Sequence, residues 1–241
     1  FRSDALTEAC ARLELALQNE DMAMLSGAAG SGKSSALRAF SDSLDPNHYK
    51  IIYIPSDNFK IGEIAKLALI ELHGEAPFHP YTAVRTLKKA AAGLHRDKGI
   101  KPVLIVDEAQ ELSTRTLSAF KHLVNFNMDS DNILFLLLCG QKEIGNILKS
   151  PELESLDRRM RIRCFMNGLS VVETSRYIVH QLKICGLSKN IFTEDTMARI
   201  FSISGGVVSA INKLCFDLII YAVSQSKEII EPSMLDKIAA V

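Results

Sequence analysis

Short apolar runs alternate with amphipathic stretches along residues 1–169. Residues 22–26, 103–106 and 133–139 contain almost no polar position, and residues 49–54 are rich in β-branched and aromatic side chains. Apolar runs of this length, bounded by turn residues, are typical of strands that are buried on both faces. The stretches between them carry apolar residues at helical spacing. The pattern therefore predicts an α/β domain built on a buried parallel sheet.

The pattern changes after Gly168, beyond which only helical spacing recurs. Ser170 and Glu173 have the Ser-x-x-Glu spacing of a capping box at the start of a helix. The most regular apolar stripe consists of Val207, Ile211, Leu214, Cys215, Leu218, Ile219 and Ala222. We therefore predict a five-stranded α/β domain over residues 1–169 and a small all-helical domain over residues 170–241.

Composition narrows the class of protein. The 241 residues include 28 Lys+Arg and 28 Asp+Glu, so the formal net charge is zero and any basic surface must be local. The longest apolar run, residues 133–139, is far shorter than the ~18 residues of a membrane span. Five cysteines without a Cys-x-x-Cys pair favour a reducing compartment. Since the start also lacks a signal-sequence pattern, we expect a cytoplasmic protein without a membrane segment.

A glycine-rich segment follows the first apolar run directly. Residues 27–34 read G-A-A-G-S-G-K-S, which fits the phosphate-binding loop G-x-x-x-x-G-K-S between a strand and a helix. Glycines let successive backbone N–H groups form a nest for phosphate oxygens, and the next helix N-terminus adds partial positive charge. Lys33 would reach the β- and γ-phosphates, and the Ser34 hydroxyl would ligate Mg²⁺. The alternative is a turn that binds nothing, which the strand–helix context disfavours.

The second chemical landmark is Asp107-Glu108, at the end of the apolar run 103–106. Ligands of open α/β sheets bind beyond the carboxyl ends of the strands. Asp107 is placed to hold Mg²⁺, directly or through water, and Glu108 to deprotonate a water that attacks the γ-phosphate. Strands often end in acidic turns, so Asp107-Glu108 alone is a weak signal. The phosphate-binding loop at residues 27–34 is what favours a functional role for the pair. The predicted contacts with ATP and Mg²⁺ are Gly27, Ala28, Ala29, Gly30, Ser31, Gly32, Lys33, Ser34, Ser35 and Asp107.

Gln141 follows the apolar run 133–139 and is open to two interpretations. If that strand lies between the strands that carry the loop and Asp107, the Gln141 side chain would lie beside the γ-phosphate. It would then act as a sensor that helps to position water. In the other interpretation, Gln141 caps the helix at Glu143.

Four arginines crowd into residues 158–163. If this segment is a strand, Arg159, Arg161 and Arg163 share one face. Unpaired arginines are costly to bury, so that face would meet water, acidic side chains or a phosphate. The segment is either a solvated strand edge or the source of an arginine finger for a neighbouring subunit's nucleotide. The candidates for the finger are Arg158, Arg159, Arg161 and Arg163.

With these residues in view, the chain resembles AAA+ ATPases of the ExeA-like branch, which includes ATPases that partner transposases, similar to TnsC and TniB proteins. The resemblance covers nearly the whole chain. It rests on residues 27–34, Asp107-Glu108-Ala109-Gln110, Cys139-Gly140-Gln141, the arginines near Arg159, Gly205-Gly206 and Ile211-Asn212. It implies a five-stranded parallel sheet in the order 5-1-4-3-2, a helical lid over the nucleotide, and a ring or helical oligomer. It also implies that Gln141 is the first sensor and Arg159 the finger.

One position departs from the family pattern. Such proteins usually have Pro-Arg after the Gly-Gly of the lid, with the arginine on the γ-phosphate, whereas this chain has Val208 and Ser209. A hydroxyl cannot supply that positive charge. We therefore expect slow hydrolysis, or a neighbouring basic residue that substitutes.

The resemblance implies a helper of DNA transposition. ATP-bound subunits would assemble on duplex DNA, present it to a transposase or integrase, and disassemble on hydrolysis. DNA contacts would be non-specific phosphate contacts, with Lys60, Lys88 and Lys89 as candidates unless these are solvated helix faces. The alternative is a secretion-associated ATPase like ExeA, which would need an anchor beyond residue 241. A third possibility is a nucleotide-dependent switch with little turnover, which Ser209 favours.

Overall fold

The computed structural model describes residues 1–20, 22–127, 131–187 and 189–238, so residues 188 and 239–241 of the predicted helical domain lie outside the described residues. The helices are Asp4–Asn19 (α1), Lys33–Ser43 (α2), Ile61–His73 (α3), Pro80–Lys98 (α4), Thr114–Val124 (α5), Glu143–Ile147 (α6), Glu154–Arg159 (α7), Val171–Ile184 (α8), Glu194–Ser204 (α9), Val208–Ser224 (α10) and Ser233–Ile238 (α11). The strands are Met22–Gly27 (β1), Tyr49–Pro55 (β2), Lys101–Asp107 (β3), Phe135–Gly140 (β4) and Ile162–Met166 (β5). None of these helices combines the length and the hydrophobicity that crossing a bilayer requires.

The five strands form one sheet in the order β2-β3-β4-β1-β5. β2 pairs with β3, β3 with β4, and β4 with β1, all in parallel. This is the predicted order 5-1-4-3-2 read from the opposite edge, so the five-stranded parallel α/β fold is confirmed. β1 and β4 are buried at every residue, as expected for central strands with helices on both faces.

The order of the strands brings three carboxyl ends together. β4 lies between β1 and β3, and Ser26 near the end of β1 pairs with Gly140 at the end of β4. Asp107 ends β3 and pairs with Pro55 of β2. Three neighbouring strands therefore end together: Gly27 is the last residue of β1, Asp107 is the last residue of β3, and Gln141 directly follows β4.

Large side chains fix the helices on the sheet. Phe40 of α2, Phe120 of α5 and Leu87 of α4 are fully buried, as is Phe135 of β4. Burial of one such side chain contributes roughly 1.5–3 kcal/mol. The sheet with its helices is thus a well-packed support for the residues at its carboxyl edge.

The chain forms two compact units. One consists of Glu8–Gly27 and Lys33–Phe165 and carries the sheet, and the other consists of Phe1–Thr7, Ala28–Gly32 and Met166–Val241. In the second unit, α8 to α11 surround an apolar cluster that includes Ile200, Ile211 and Leu218. The domain boundary between residues 169 and 170 stays a prediction.

The capping box at the start of α8 is confirmed. The Ser170 hydroxyl accepts the Glu173 N–H at 3.2 Å, and the Glu173 carboxylate accepts the Ser170 N–H at 2.9 Å. The same carboxylate accepts the Asp4 N–H at 2.8 Å. Because these hydrogen bonds outweigh the effect of partial burial, the pKa of Glu173 is lowered from its ordinary value.

The arginine-rich segment differs from the predicted strand. Arg159 ends α7 and β5 begins at Ile162, so only Arg163 of the shared face lies in a strand. The reason is the apolar spacing of Leu153, Leu156 and Met160, which is helical and buries all three side chains. The condition under which Arg159, Arg161 and Arg163 would share a strand face is therefore not met.

Candidate functional site

Positive φ angles shape the loop between β1 and α2. Gly30 has φ +73° and Gly32 has φ +101°, a region in which an L side chain is strained. The hydroxyl of Ser31, between them, is buried, and no hydrogen-bond partner for it is found among the described residues. A buried, unpartnered hydroxyl in a glycine loop fits a ligand that offers acceptor oxygens.

Lys33 is buried although it carries a charge. Lys33 is only 8% exposed, and its Nζ donates a hydrogen bond to the carbonyl of Gly27 at 3.1 Å. Ser34, the predicted metal ligand, follows in the first turn of α2. An ammonium group at the start of α2, next to Gly27, suits an anionic ligand.

The Asp107 carboxylate is fixed from two sides. It is 7% exposed, its Oδ2 accepts the Tyr53 hydroxyl at 2.8 Å, and its Oδ1 accepts the Glu108 N–H at 2.9 Å. Burial, followed by the hydrogen bond and the negative charge of Asp107, raises the pKa of the Tyr53 hydroxyl above its usual value. Burial and then Asp107 likewise raise the pKa of the Cys139 thiol. Tyr53 and Cys139 therefore stay protonated beside Asp107 at neutral pH.

Glu108 is held in an uncommon backbone conformation. Its φ of +51° lies in the left-handed region, which costs a non-glycine residue about 1–2 kcal/mol. Its Oε2 accepts a hydrogen bond from the Gln110 Nε2 at 2.7 Å. Strained backbone of this kind clusters at functional sites, where the surrounding contacts maintain it.

Gln110 connects two predicted site residues and was missed as a functional residue. It lies in the 3₁₀ turn Ala109–Glu111, donates to Glu108, and accepts the backbone N–H of Gln141 at 2.9 Å through Oε1. Gly140 leaves room for this arrangement, because a Cβ there would lie 2.6 Å from Gln110 Oε1. The sequence signal for Gln110 is its place in the segment Asp107-Glu108-Ala109-Gln110, two residues after Glu108.

The structure decides one alternative for Gln141. The N-cap of α6 is Lys142, without a side-chain hydrogen bond to the helix, so the interpretation of Gln141 as the side-chain cap of Glu143 is wrong. Gln141 follows β4, which lies between β1 and β3 as the sensor interpretation requires. The sensor role itself stays a prediction.

The arginines have different surroundings. The Arg163 guanidinium pairs with the Asp157 carboxylate at 2.7 Å and also donates to the carbonyls of Asp157 and Met160. Arg158 pairs with Glu154 on the same helix, and Arg161 lies 3.5 Å from the Glu20 carboxylate. Arg159 is half-buried at the end of α7. The assignment of Arg159 as the finger stays a prediction.

Ser209 lies against the loop within the second compact unit. Its N–H donates to the Gly30 carbonyl at 3.3 Å, and a Cβ on Gly30 would lie 1.8 Å from the Ser209 Oγ. The position at which the resemblance leads us to expect an arginine therefore directly contacts the glycine-rich loop. A hydroxyl at this position can donate one hydrogen bond but carries no charge.

The predicted DNA contacts also differ in their surroundings. Lys88 Nζ donates to the carbonyls of His122 and Asn125 and lies 4.8 Å from the centre of the Phe126 ring. Lys60 is the exposed N-cap of α3, and Lys89 is exposed on α4. Lys88 thus joins α4 to the end of α5, and the DNA contacts of all three stay predictions.

Comparison with known proteins decides the family. The family described as AAA domain matches residues 16–148, more than half of the chain. The chain belongs to this family. This AAA chain is also 29% identical over 223 residues to General secretion pathway protein A of Aeromonas hydrophila, a match that covers 89% of this chain and 40% of that protein. The chain thus spans less than half the length of that curated relative.

Solved structures share the AAA+ fold. Cdc6p of Pyrobaculum aerophilum superposes with a TM-score of 0.72 at 17% identity, covering 95% of this chain and 65% of that chain. The Aeropyrum pernix ORC1 protein in complex with DNA gives 0.63 at 15% identity, with coverages of 98% and 64%. At these identities the likeness concerns the fold alone. This fold implies nucleotide binding with a divalent metal, typically Mg²⁺, and the buried Ser31 hydroxyl and Lys33 fit such a ligand.

Proposed function

We propose that this chain binds ATP with Mg²⁺ in the loop 27–34 and hydrolyses ATP to ADP and phosphate. The observation that supports the proposal best is the pair Asp107 and Glu108 at the carboxyl end of β3. In the sheet, only β4 separates β3 from β1, the strand that leads into the loop. Asp107 is buried between donors, and Glu108 is held by Gln110. A glycine-rich loop alone would not require either carboxylate.

The residues of the loop bind and orient the triphosphate. The backbone N–H groups around Gly30 and Gly32 and the ammonium of Lys33 would contact the phosphate oxygens. The Ser34 hydroxyl and Asp107 would hold the metal, directly or through water. When bound, Mg²⁺ supplies positive charge that stabilises the transferring phosphoryl group. The Tyr53 hydroxyl and the Glu108 N–H hold the two oxygens of the Asp107 carboxylate in place.

Glu108 would accept the proton of the attacking water. Gln110 occupies one oxygen of this carboxylate, so it sets the orientation of the base rather than contacting the substrate. Gln141 would act as the first sensor, and Arg159 would act on the nucleotide of a neighbouring subunit. The last role requires self-association into a ring or a helical oligomer.

The proposed biological role is that of a DNA-transposition helper. ATP-bound subunits would assemble on duplex DNA and activate or target a transposase, with hydrolysis releasing them. The proposal is supported by the ATPase site and by a local concentration of lysine and arginine on α4 in a chain of zero net charge. ATP should increase retention of the protein on duplex DNA at low salt. Equal retention with and without ATP would remove the basis of this role.

A secretion-associated ATPase is the second candidate, because the curated relative is named General secretion pathway protein A. The genes next to this one distinguish the two roles. An adjacent integrase-like gene favours transposition, and a reading frame that continues into an envelope anchor favours secretion.

A nucleotide-dependent switch with little turnover is the third candidate, and the contact of Ser209 with Gly30 favours it. Phosphate release by the purified protein, with and without DNA, separates a switch from a motor.

The Glu108→Gln variant tests the ATPase proposal. It keeps the shape and the partner of the side chain but removes the base, so ATP binding should persist while phosphate release stops. Glu111→Gln is the matched control, because Glu111 is an exposed carboxylate three residues further on, at the end of the 3₁₀ turn that Glu108 precedes. An unchanged rate in Glu108→Gln would exclude Glu108 as the base.

A further inference from the structure

Three aromatic rings cluster at the start of α4. The Phe78 ring meets the His79 ring edge to face at 5.1 Å, and the His79 ring stacks on Tyr81 at 5.7 Å. Phe78 is 85% exposed and Tyr81 is 79% exposed, the two highest values among the large hydrophobic residues that the structure describes. Rings that pack on each other and yet remain open to solvent are typical of a binding surface.

The solvent face of α4 continues the cluster with positive charge. Arg85, Lys89 and Arg96 are exposed and lie on the same side of the helix as Tyr81, at spacings of four, four and seven residues. The opposite side packs into the core through Ala83, Leu87 and Ala91. The helix carries five lysines and arginines but a single acidic residue, Asp97. In a chain of zero net charge, this is a pronounced local excess.

The neighbouring helix α3 contributes one more cation, Lys66, and carries two acids, Glu63 and Glu71. Lys66 Nζ donates to the Phe78 carbonyl at 3.1 Å, which fixes a positive charge beside the aromatic cluster. The Glu63 carboxylate accepts the Lys60 N–H at 2.7 Å as part of the α3 cap. Lys66 thus places one positive charge beside the rings, while the Glu63 carboxylate takes part in the α3 cap.

We propose that Phe78, Tyr81, Arg85, Lys89 and Arg96, called here the α4 surface, bind single-stranded DNA. Exposed rings stack on unpaired bases, whereas a duplex hides the faces of its bases. The cations would follow the phosphates of the same strand. This inference rests on the DNA-binding part of the proposed function and assigns to the α4 surface an unpaired strand, as a contact additional to the duplex on which the subunits would assemble.

The dimensions of the α4 surface agree with a short stretch of one strand. From Tyr81 to Arg96 the helix advances about 22 Å at 1.5 Å per residue. A stacked strand advances about 3.4 Å per nucleotide, so the surface spans roughly six nucleotides. This is within the range of site sizes of single-strand binding domains.

Fluorescence anisotropy with a labelled oligothymidine of about 16 nucleotides tests the proposal. The double variant Phe78→Ala/Tyr81→Ala should bind the single strand about tenfold or more weakly, with an unchanged dependence on salt. Arg85→Ala/Lys89→Ala should also bind more weakly, and the slope of log affinity against log salt should fall by about 1.4. The duplex of the same length should be bound more weakly than the single strand by the unmodified protein.

Matched controls lie in the helical unit. Phe216→Ala removes an aromatic ring that is 64% exposed, and Lys183→Ala/Lys213→Ala removes two exposed cations. Both controls should bind the oligonucleotide as the unmodified protein does. The proposal would be overturned if the controls lost as much affinity as the α4 variants, or if the α4 variants bound as the unmodified protein does. It would also be overturned if the protein preferred duplex and Phe78→Ala/Tyr81→Ala left that preference unchanged.

Nucleotide binding, measured on the same samples, separates this inference from the proposed function. If ATP binds and ATP-dependent retention on duplex DNA persists while the α4 variants behave as the unmodified protein, the α4 surface alone is wrong. If no DNA of either form binds, the DNA-binding function fails as well. If ATP does not bind, the ATPase proposal fails independently of the DNA results.

Discussion

The side-chain amide of Gln110 donates a hydrogen bond to the carboxylate of Glu108 at 2.7 Å. The carbonyl oxygen of the same amide accepts the N–H of Gln141 at 2.9 Å. One glutamine thus connects the proposed base with the residue that follows the neighbouring strand β4. A base that must face a water molecule benefits from such a fixed orientation, because an imprecise angle lowers the rate without affecting ground-state binding.

Replacing Gln110 by Ala should therefore lower kcat about 10- to 100-fold and leave KM and ATP affinity unchanged. Steady-state kinetics and equilibrium ATP binding measure the two effects separately. A rise in KM with constant kcat would show that Gln110 binds substrate instead of positioning Glu108.

Gly140→Ala should reproduce the Gln110 effect from the opposite side of the contact. The new Cβ would lie 2.6 Å from Gln110 Oε1, and the flexible amide would have to leave its hydrogen bond with Gln141. Since both changes break the same contact, the double variant should be no slower than Gln110→Ala. Gly145→Ala in α6, where a Cβ meets open space, is the control and should retain full activity. Additive losses would contradict a shared contact.

Gly30→Ala should weaken ATP binding and lower the thermal midpoint of unfolding. It combines the strain of φ +73° with a Cβ that lies 1.8 Å from the Ser209 Oγ. Gly74→Ala has a similar φ of +79° and open space, so it measures the strain of about 1–2 kcal/mol alone. The additional change Ser209→Gly should restore only the part of the loss that exceeds that of Gly74→Ala. If Gly30→Ala and Gly74→Ala lost the same stability, the Ser209 side chain would have moved away from the new Cβ without lowering the free energy of unfolding.

Glu173→Gln should lower the free energy of unfolding by an amount that depends on pH. The pKa of Glu173 is lowered in the folded protein, so its stabilising effect is complete above the ordinary value of 4.5 and disappears as the pH falls through the folded value. The variant should be less stable by about 1 kcal/mol near neutral pH, the usual magnitude for a helix cap. Thermal unfolding between pH 7 and acid should show the difference vanish on the acid side.

The fold could be predicted because the patterns that indicate its strands and helices each lie within a short, continuous stretch of sequence. Uninterrupted apolar runs predict the central strands. The change to helical spacing after Gly168 predicts the helices of the last third of the chain. The glycine loop and Asp107-Glu108 were found for the same reason, since each is a contiguous pattern with a chemical meaning. Their meeting at one edge follows from the order of β1, β4 and β3.

The remaining features depend on contacts between distant positions. Gln110 acquires its role from Gly140 and Gln141, which lie about thirty residues away in sequence but on the neighbouring strand end. The arginine spacing alone does not show that Arg159 ends a helix. A strand puts alternate residues on one face and a helix does not, and the burial of Leu153, Leu156 and Met160 favours the helix. Lys88 looked like a solvated or DNA-binding lysine until its bonds to the end of α5 appeared.

The central claim is that Lys33 and its loop bind the phosphates of Mg-ATP. Isothermal titration of the purified protein with Mg-ATP tests this claim, together with Lys33→Ala and the control Lys50→Ala, which removes an exposed lysine of β2. We predict that the unmodified protein and Lys50→Ala bind equally and that Lys33→Ala loses about tenfold or more in affinity. Binding by Lys33→Ala with unchanged affinity, or no binding by the unmodified protein, would contradict the account.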